Sequence, residues 1–217
     1  MPRAPTRKNR VRAAIDRQAV VDAAFHVLQR AGLDGLTVRS IAARLGVQNP
    51  ALYWHFRSKQ EIVDAMAERI LRASVVEPAP DEEWSAWLRR AARAFRSALL
   101  SRRDGAQVVA SADLSSTAMA TNVDAAIGRL MQSGFKPRDA LFGVLAIYDY
   151  TLGTTFETQA DPVRAGTRRK QRAKAPHLPH FEAALGAGAI LEEDTFENGL
   201  TLLIDGLAQR RTAPGRT

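Results

Sequence analysis

The chain has 217 residues, 46% of them hydrophobic, and contains no cysteine, which excludes disulfides, thiolate metal sites and thiol catalysis. No run of about 18 apolar residues and no signal-peptide pattern is present, so we expect a cytoplasmic protein without a membrane span. The net charge is +8, and its distribution is uneven. Residues 1–72 carry 13 Lys/Arg and 6 Asp/Glu, whereas residues 73–217 carry 18 and 17. This asymmetry predicts a phosphate-binding head on a nearly neutral body.

The first fifteen residues are predicted to be a disordered basic arm. Five cations and no acid lie within residues 1–12. Such an arm either follows phosphates or a minor groove, or serves only as a solubilising tail, and the sequence leaves both functions open.

The next segment predicts an all-α head. Apolar residues recur at helical spacing over Arg17–Ala31, and Asp16 is placed to cap that helix. Thr37 can cap a second helix, which Gly46 can end in the left-handed conformation. Asn49, as cap, and Pro50, in the first turn, then open a very short helix. Helix, glycine turn and a short polar-aromatic helix are typical of the helix-turn-helix motif.

The remaining chain predicts a helical body after a proline break at Pro78 and Pro80. The boundary divides a helix-turn-helix DNA-binding domain, residues 16–76, from a helical domain, residues 81–210, for which a family resemblance given below implies ligand binding and dimerisation. We expect body helices at 81–102, 106–110, 119–131, 137–158, 181–185 and 194–209, and a flexible loop at 161–179. Trp54 and Phe56 are interpreted at least in part as core residues, and Arg96 as part of a solvent-facing row.

The run LGVQNPALYWHFRSKQEIVDAM resembles the DNA-binding head of the TetR family of bacterial repressors. WSAWLRRAARAFRSALLSRRDGAQV, GFKPRDALFGVLAIYDYTLGTTFETQ and FENGLTLLIDGL resemble the body of its tetracycline-repressor branch. The resemblance implies a homodimer on palindromic double-stranded DNA, joined by a four-helix bundle of residues 137–158 and 194–209 from each chain.

The resemblance also implies roles for eight head residues. It assigns phosphate contacts to Thr37, Arg39, Tyr53, His55 and Lys59. It assigns base contacts to Asn49, Pro50 and Ala51, because an Asn amide suits an adenine edge and an Ala methyl suits a thymine methyl.

The body departs from its branch where a metal and a drug would bind. Val75, Ala91 and Val109 occupy positions that are polar or metal-binding in the branch, and only Glu157 matches a metal-site residue. One carboxylate does not hold a divalent ion alone, so we expect no metal and no cofactor, and interpret Glu157 as a surface carboxylate. An apolar effector pocket is expected instead, with plain core packing as the alternative for its apolar members. Its predicted lining is Trp87, Phe95, Val108, Val109, Met119, Val123, Leu141, Val144, Tyr148 and Asp149.

An enzyme is not expected, because the sequence has no phosphate loop, no Gly-rich dinucleotide motif and no His near an acid with nucleophile spacing. The predicted function is a repressor that binds a palindromic operator and is released by a small, mostly apolar effector. The alternative is an architectural, nucleoid-type dimer that binds DNA without sequence preference and without an effector.

Overall fold

The computed structural model describes residues 16–113, 117–171, 177–186 and 192–211; the predicted basic arm lies outside them. The described ranges are helical and contain no strand, which confirms the predicted all-α fold. None of their helices is long and apolar enough to cross a membrane. The helices are α1 (Arg17–Ala31), α2 (Val38–Leu45), a 3₁₀ helix (Asn49–Trp54), α3 (Lys59–Ala73), α4 (Trp84–Leu100), α5 (Gly105–Ala110), α6 (Thr117–Gln132), α7 (Pro137–Gln171), α8 (Pro179–Gly186) and α9 (Glu192–Ala208).

Local capping sets the first two helices, as the sequence predicts. The Ala19 amide donates to Asp16 Oδ1 at 2.7 Å. Thr37 and Ser40 form a capping box, in which each side chain accepts the other residue's amide at 3.0 and 2.9 Å. Gly46 ends α2 at φ 69°, a left-handed conformation that a residue with a Cβ adopts only at a cost.

Two predictions are wrong: one concerns the N-cap of the short helix after α2, and the other concerns the exposure of Arg96. Asn49 does not cap the short helix; Gln48 occupies that position and makes no side-chain bond, because the segment is a 3₁₀ helix rather than an α-helix. Arg96 is only 8% exposed, and its guanidinium carbon lies 4.7 Å above the Phe196 ring. The packing of α9 against α4 covers a side chain that helical spacing alone places in solvent.

The predicted loop at 161–179 is also wrong in its first part, because α7 continues without interruption to Gln171. The cation-rich composition that suggested a loop is compatible with a helix, since Arg and Lys have high helix propensity. Residues 172–176 lie outside the described ranges.

A hairpin between α4 and α5 connects the body to the head. The Gln159 side chain of α7 holds this hairpin: its Nε2 donates to the carbonyls of Leu99 (3.1 Å) and Arg102 (2.8 Å), and its Oε1 accepts the Ala106 amide at 3.0 Å. Gly105 lies so close to the end of α4 that an added Cβ would be 2.2 Å from the Leu99 carbonyl oxygen. The hairpin therefore requires glycine at this position.

The close approach at Gly105 gives a stability prediction. Gly105→Ala should lower the free energy of unfolding by about 1–3 kcal/mol, because the Leu99 backbone must move to admit the methyl group. Gly128→Ala in α6 is the control: nothing lies within 4 Å of its added Cβ, so it should gain about 0.5–1 kcal/mol from helix propensity. Urea denaturation measures both, and equal values for the two variants would contradict the close approach.

Candidate nucleic-acid interface and ligand cavity

The short 3₁₀ helix is attached to the head through Leu52, which is buried, while its other side faces solvent. The run of aromatics around it separates sharply: Tyr53 is 55% exposed, Trp54 is 88% exposed and Phe56 is 1% exposed. The core interpretation is thus right for Phe56 and wrong for Trp54. The helix ends at Trp54, and the backbone turn at His55 directs Phe56 inward. An α-helical period could not indicate this reversal.

Hydrogen bonds fix the turn between the 3₁₀ helix and α3. Arg17 Nη1 donates to the His55 carbonyl at 2.7 Å, and its guanidinium carbon lies 4.1 Å from the Phe56 ring centroid. The Arg57 amide donates to Glu61 Oε2 at 2.6 Å. This bond, with a smaller contribution from Arg17, holds the pKa of the Glu61 carboxyl below its usual value. The first turn of α3, which carries Lys59, is thereby held against the 3₁₀ helix.

The eight predicted DNA-contact residues lie on three consecutive elements, α2, the 3₁₀ helix and the start of α3. Most of their side chains are exposed; Ala51 and His55 are half-buried. The Thr37 hydroxyl already accepts the Ser40 amide, so its second lone pair remains for a further contact. Trp54 is not among the predicted DNA-contact residues, although it is the most exposed large apolar side chain of the described ranges.

The head is bonded to the body at two places. On α3, Gln60 Nε2 donates to the Ser111 carbonyl at 2.8 Å, and Asp64 Oδ1 accepts the Asp113 amide at 2.9 Å. At the α4–α5 hairpin, Asp104 Oδ2 accepts the Leu33 amide at 2.9 Å, just after α1. Because of these hydrogen bonds, a displacement of α5 would also move α1 and α3.

A cavity of about 640 Å³ lies between the end of α3, the segment 74–78, and helices α4, α6 and α7. Phe95 and Tyr148 stack in its wall, with ring centroids 5.1 Å apart. Val75 and Ala91, two of the apolar departures, also line it. The predicted pocket residues found in the lining are Trp87, Phe95, Met119, Val123, Val144 and Tyr148.

The other four predicted pocket residues lie elsewhere. Val108 and Val109 have no exposed surface and belong to the apolar core of α5, so plain packing is the correct interpretation for them. Leu141 and Asp149 of α7 are exposed and outside the cavity lining. Leu141 lies one turn before the first lining residue of α7, and Asp149 is rotated off the face that carries Val144 and Tyr148.

Polar residues that were not predicted also line the cavity: Ser74, Glu77, Thr121, Asn122, Asp124, Arg129, Gln132 and Thr151. Thr151 follows Tyr148 by three residues on α7, so helical spacing could have identified it. Arg129 resembles an ordinary helix-surface cation in the sequence, and no sequence signal distinguishes it. Within the described ranges, no group of three or more His, Asp or Glu side chains is arranged to hold a metal ion, and Glu157 is exposed.

The family model for bacterial regulatory proteins of the tetR family matches residues 20–66, and the model for the tetracyclin repressor-like C-terminal domain matches residues 77–211. The chain belongs to the TetR family. It is a DNA-binding transcriptional repressor rather than an enzyme, and it acts as a homodimer on an operator from which a small molecule releases it.

Individual relatives of this TetR-family chain cover nearly its whole length. It is 42% identical over 195 residues to the tetracycline repressor protein class A from transposon 1721 of Escherichia coli, covering 88% of this chain and 90% of that one. A possible TetR family transcriptional regulator from Streptomyces coelicolor A3(2) superposes with a TM-score of 0.81 at 34% identity, covering 90% of this chain and 100% of the other. The structure of TetR (class A) in complex with 5a,6-anhydrotetracycline and magnesium superposes with a TM-score of 0.71 at 34% identity, covering 91% of this chain and 100% of the other.

An apolar face on α7 and α9 fits the dimer of this repressor. Phe142 and Leu145 are exposed on α7, and Leu202 on α9 is 74% exposed beside a groove that includes Gly143 and Gly206. Large exposed side chains next to a groove of small residues are complementary to a second copy of the same face.

The two aromatics of the repressor head give a matched stability test. Phe56→Ala should cost about 3–5 kcal/mol of the free energy of unfolding, because it leaves a cavity in the head core. Trp54→Ala should change it by no more than about 0.5 kcal/mol, since its side chain is in solvent. Denaturant unfolding of the two variants beside the parent chain measures the difference. A large loss at Trp54 would mean that its side chain packs in solution.

Proposed function

We propose that the effector of this repressor is a largely apolar small molecule that binds in the 640 Å³ cavity without a metal ion. The observation that carries the proposal is the cavity lining: Trp87, Phe95 and Val144 provide apolar area, and apolar Val75 and Ala91 stand where the resemblance implies polar groups. Pockets of this size and lining suit drug-sized apolar ligands. The chain acts in the cytoplasm, where its operator DNA is located.

The proposed DNA contacts keep the sequence-based roles. Arg39, Tyr53, His55 and Lys59 contact phosphates. Thr37 does so as well, by turning its hydroxyl hydrogen from Ser40 Oγ, 3.1 Å away, toward a phosphate oxygen. Asn49, Pro50 and Ala51 face base edges in the major groove. The exposed Asn49 amide supports this role, because the side chain is not engaged as a helix cap. The boundary between head (16–76) and body (81–210) is part of the same proposal, as is the arm at 1–15.

The proposed coupling between effector and DNA runs through α3 and the α4–α5 hairpin. Leu71 and Ser74, at the end of α3, line the cavity, and Lys59 at the other end lies beside the 3₁₀ helix. A ligand that displaces the end of α3 therefore changes the orientation of the head. In a homodimer this alters the separation of the two recognition elements, which must match successive major grooves about 34–36 Å apart.

The DNA proposal predicts different behaviour for two head residues. In a selection from random double-stranded DNA, Asn49→Ala should relax preference at one base pair per half-site, at a cost of about 1–3 kcal/mol for the preferred base. Lys59→Ala should weaken binding to all sequences alike and reduce the salt slope by about 1 per head, because it removes one phosphate contact. An unchanged base preference in Asn49→Ala would refute the base-reading role.

The effector proposal predicts stabilisation that does not depend on a metal. In a melting screen of hydrophobic antibiotics and metabolites, a ligand at about 100 times its Kd should add ~2.7 kcal/mol, which raises the midpoint by roughly 5–10 °C. A chelator should not change this shift, and tetracycline with magnesium should give none.

Two variants of α4 make the screen specific to the cavity. Ala91→Trp fills the cavity and should abolish the shift, whereas Ser97→Trp places the same side chain on an exposed position of the same helix and should preserve it. A shift that disappears with chelator would contradict the metal-free proposal. A shift that survives Ala91→Trp would place the ligand elsewhere.

A further inference from the structure

Three polar side-chain atoms belong to residues that line the effector cavity, are buried, and lack a hydrogen-bond partner in the described part of the chain. They are the Tyr148 hydroxyl, Thr151 Oγ1 and Arg129 Nε. A buried polar atom without a partner is costly, so a cluster of them around one cavity points to a missing partner. The inference rests on the proposed function and concerns the chemistry of the effector.

Thr151 differs from the next three threonines along α7. The hydroxyls of Thr154, Thr155 and Thr158 donate to carbonyls four residues earlier on α7, at 2.9, 2.6 and 3.1 Å. Thr151, which is as fully buried as Thr155, makes no such bond. It lies three residues after Tyr148, so both residues line the cavity from the same side of the helix, and their two unpaired hydroxyls are called the Tyr148–Thr151 pair.

All three atoms can donate a hydrogen bond. Arg129 Nε carries a hydrogen and cannot accept. Burial, together with the nearby Asp149 charge, raises the pKa of Tyr148 to about 12, so its hydroxyl keeps its proton at neutral pH. Hydroxyl hydrogens rotate about the C–O bond, which lets the pair turn toward an acceptor.

Two contacts position the Arg129 guanidinium and leave its Nε without a partner in the described part of the chain. Its guanidinium carbon lies 5.3 Å from the Trp87 ring centroid, and Nη2 donates to the Glu82 backbone carbonyl at 2.7 Å. The Glu82 carboxylate is held by Arg90, whose Nε and Nη2 donate to its two oxygens at 3.0 and 2.7 Å. The bonds from Arg90 lower the pKa of the Glu82 carboxyl most, and the Arg129 charge makes a smaller contribution.

We propose that the effector is an apolar ring compound that carries acceptor oxygens. A carbonyl oxygen accepts from the Tyr148–Thr151 pair, and a carboxylate or second carbonyl accepts from Arg129. A pure hydrocarbon leaves the three donors unpaired, and a ligand without an acceptor oxygen gains nothing from them. The class is therefore aryl ketones, quinones and their carboxylates.

Four compounds on one diphenylmethane frame test the proposal with the full-length dimer: diphenylmethane, benzophenone, 4-benzoylbenzoate and 4-benzyl-N,N,N-trimethylanilinium. Affinities are measured by titration calorimetry. Benzophenone should bind about tenfold more tightly than diphenylmethane, the gain of one hydrogen bond. 4-Benzoylbenzoate should gain about tenfold again, and the cation, which has no acceptor oxygen, should show no gain over diphenylmethane.

Conservative variants assign each gain to its donor. Tyr148→Phe and Thr151→Val should each remove most of the benzophenone advantage and leave the diphenylmethane affinity unchanged. Arg129→Gln should remove only the further advantage of the carboxylate. Thr155→Val is the matched control, because it removes an equally buried hydroxyl that donates within the helix, and it should change no affinity ratio.

Each outcome decides the proposal. Equal binding of diphenylmethane and benzophenone overturns the donor proposal while the apolar cavity of the proposed function stands. The donor proposal is also overturned if Thr155→Val lowers the affinity of benzophenone relative to diphenylmethane as much as Thr151→Val does. If none of the four compounds binds, the cavity is not a ligand site and both proposals fail. Should a variant not fold, the comparison of compounds on the unmodified chain still decides.

Discussion

One apolar core extends without interruption from the head into the body, and the rest of the structure depends on it. Leu28, Ile41 and Met66 of the head belong to the same buried cluster as Leu99 and Val108 of the α4–α5 hairpin. A second cluster, which contains Trp84, Phe135 and Phe196, joins α4, α6, α7 and α9. Because close-packed cores deform little, the head follows the hairpin when α5 moves.

Hydrogen bonds at the edge of this core link the α4–α5 hairpin to helices of both the head and the body. Gln159 attaches the hairpin to α7, while Asp104 and Asp64 attach it to α1 and α3. The cavity lies on the other side of the same helices, next to the end of α3. A repressor needs DNA binding and effector binding to affect each other. Here the cavity and the helices proposed to contact DNA both border α3, which belongs to the shared core.

The sequence predicted most of the fold because local chemistry decides it. Caps at Asp16 and Thr37, the left-handed Gly46 and the proline break all act over a few residues. Errors arose where the arrangement of distant elements decides: α9 covers Arg96, and Trp54 points into solvent at the end of a 3₁₀ helix that no α-helical period describes. For the cavity, the family resemblance predicted Val144 and Tyr148, which line it. It could not separate Val109, which packs in the core, from residues that border empty space, since both are apolar.

The three tryptophans of the chain occupy three different surroundings. Trp54 is in solvent on the short 3₁₀ helix, Trp87 borders the cavity next to the Arg129 guanidinium, and Trp84 packs edge-on against Phe135 with ring centroids 4.7 Å apart in the second core. Indole emission depends on the polarity of its surroundings, so the exposed Trp54 should emit at a longer wavelength than the buried Trp84 and Trp87. Single-tryptophan versions would therefore report separately on the surface of the head, on the cavity and on the core of the body, and changes at these three places could be followed in time.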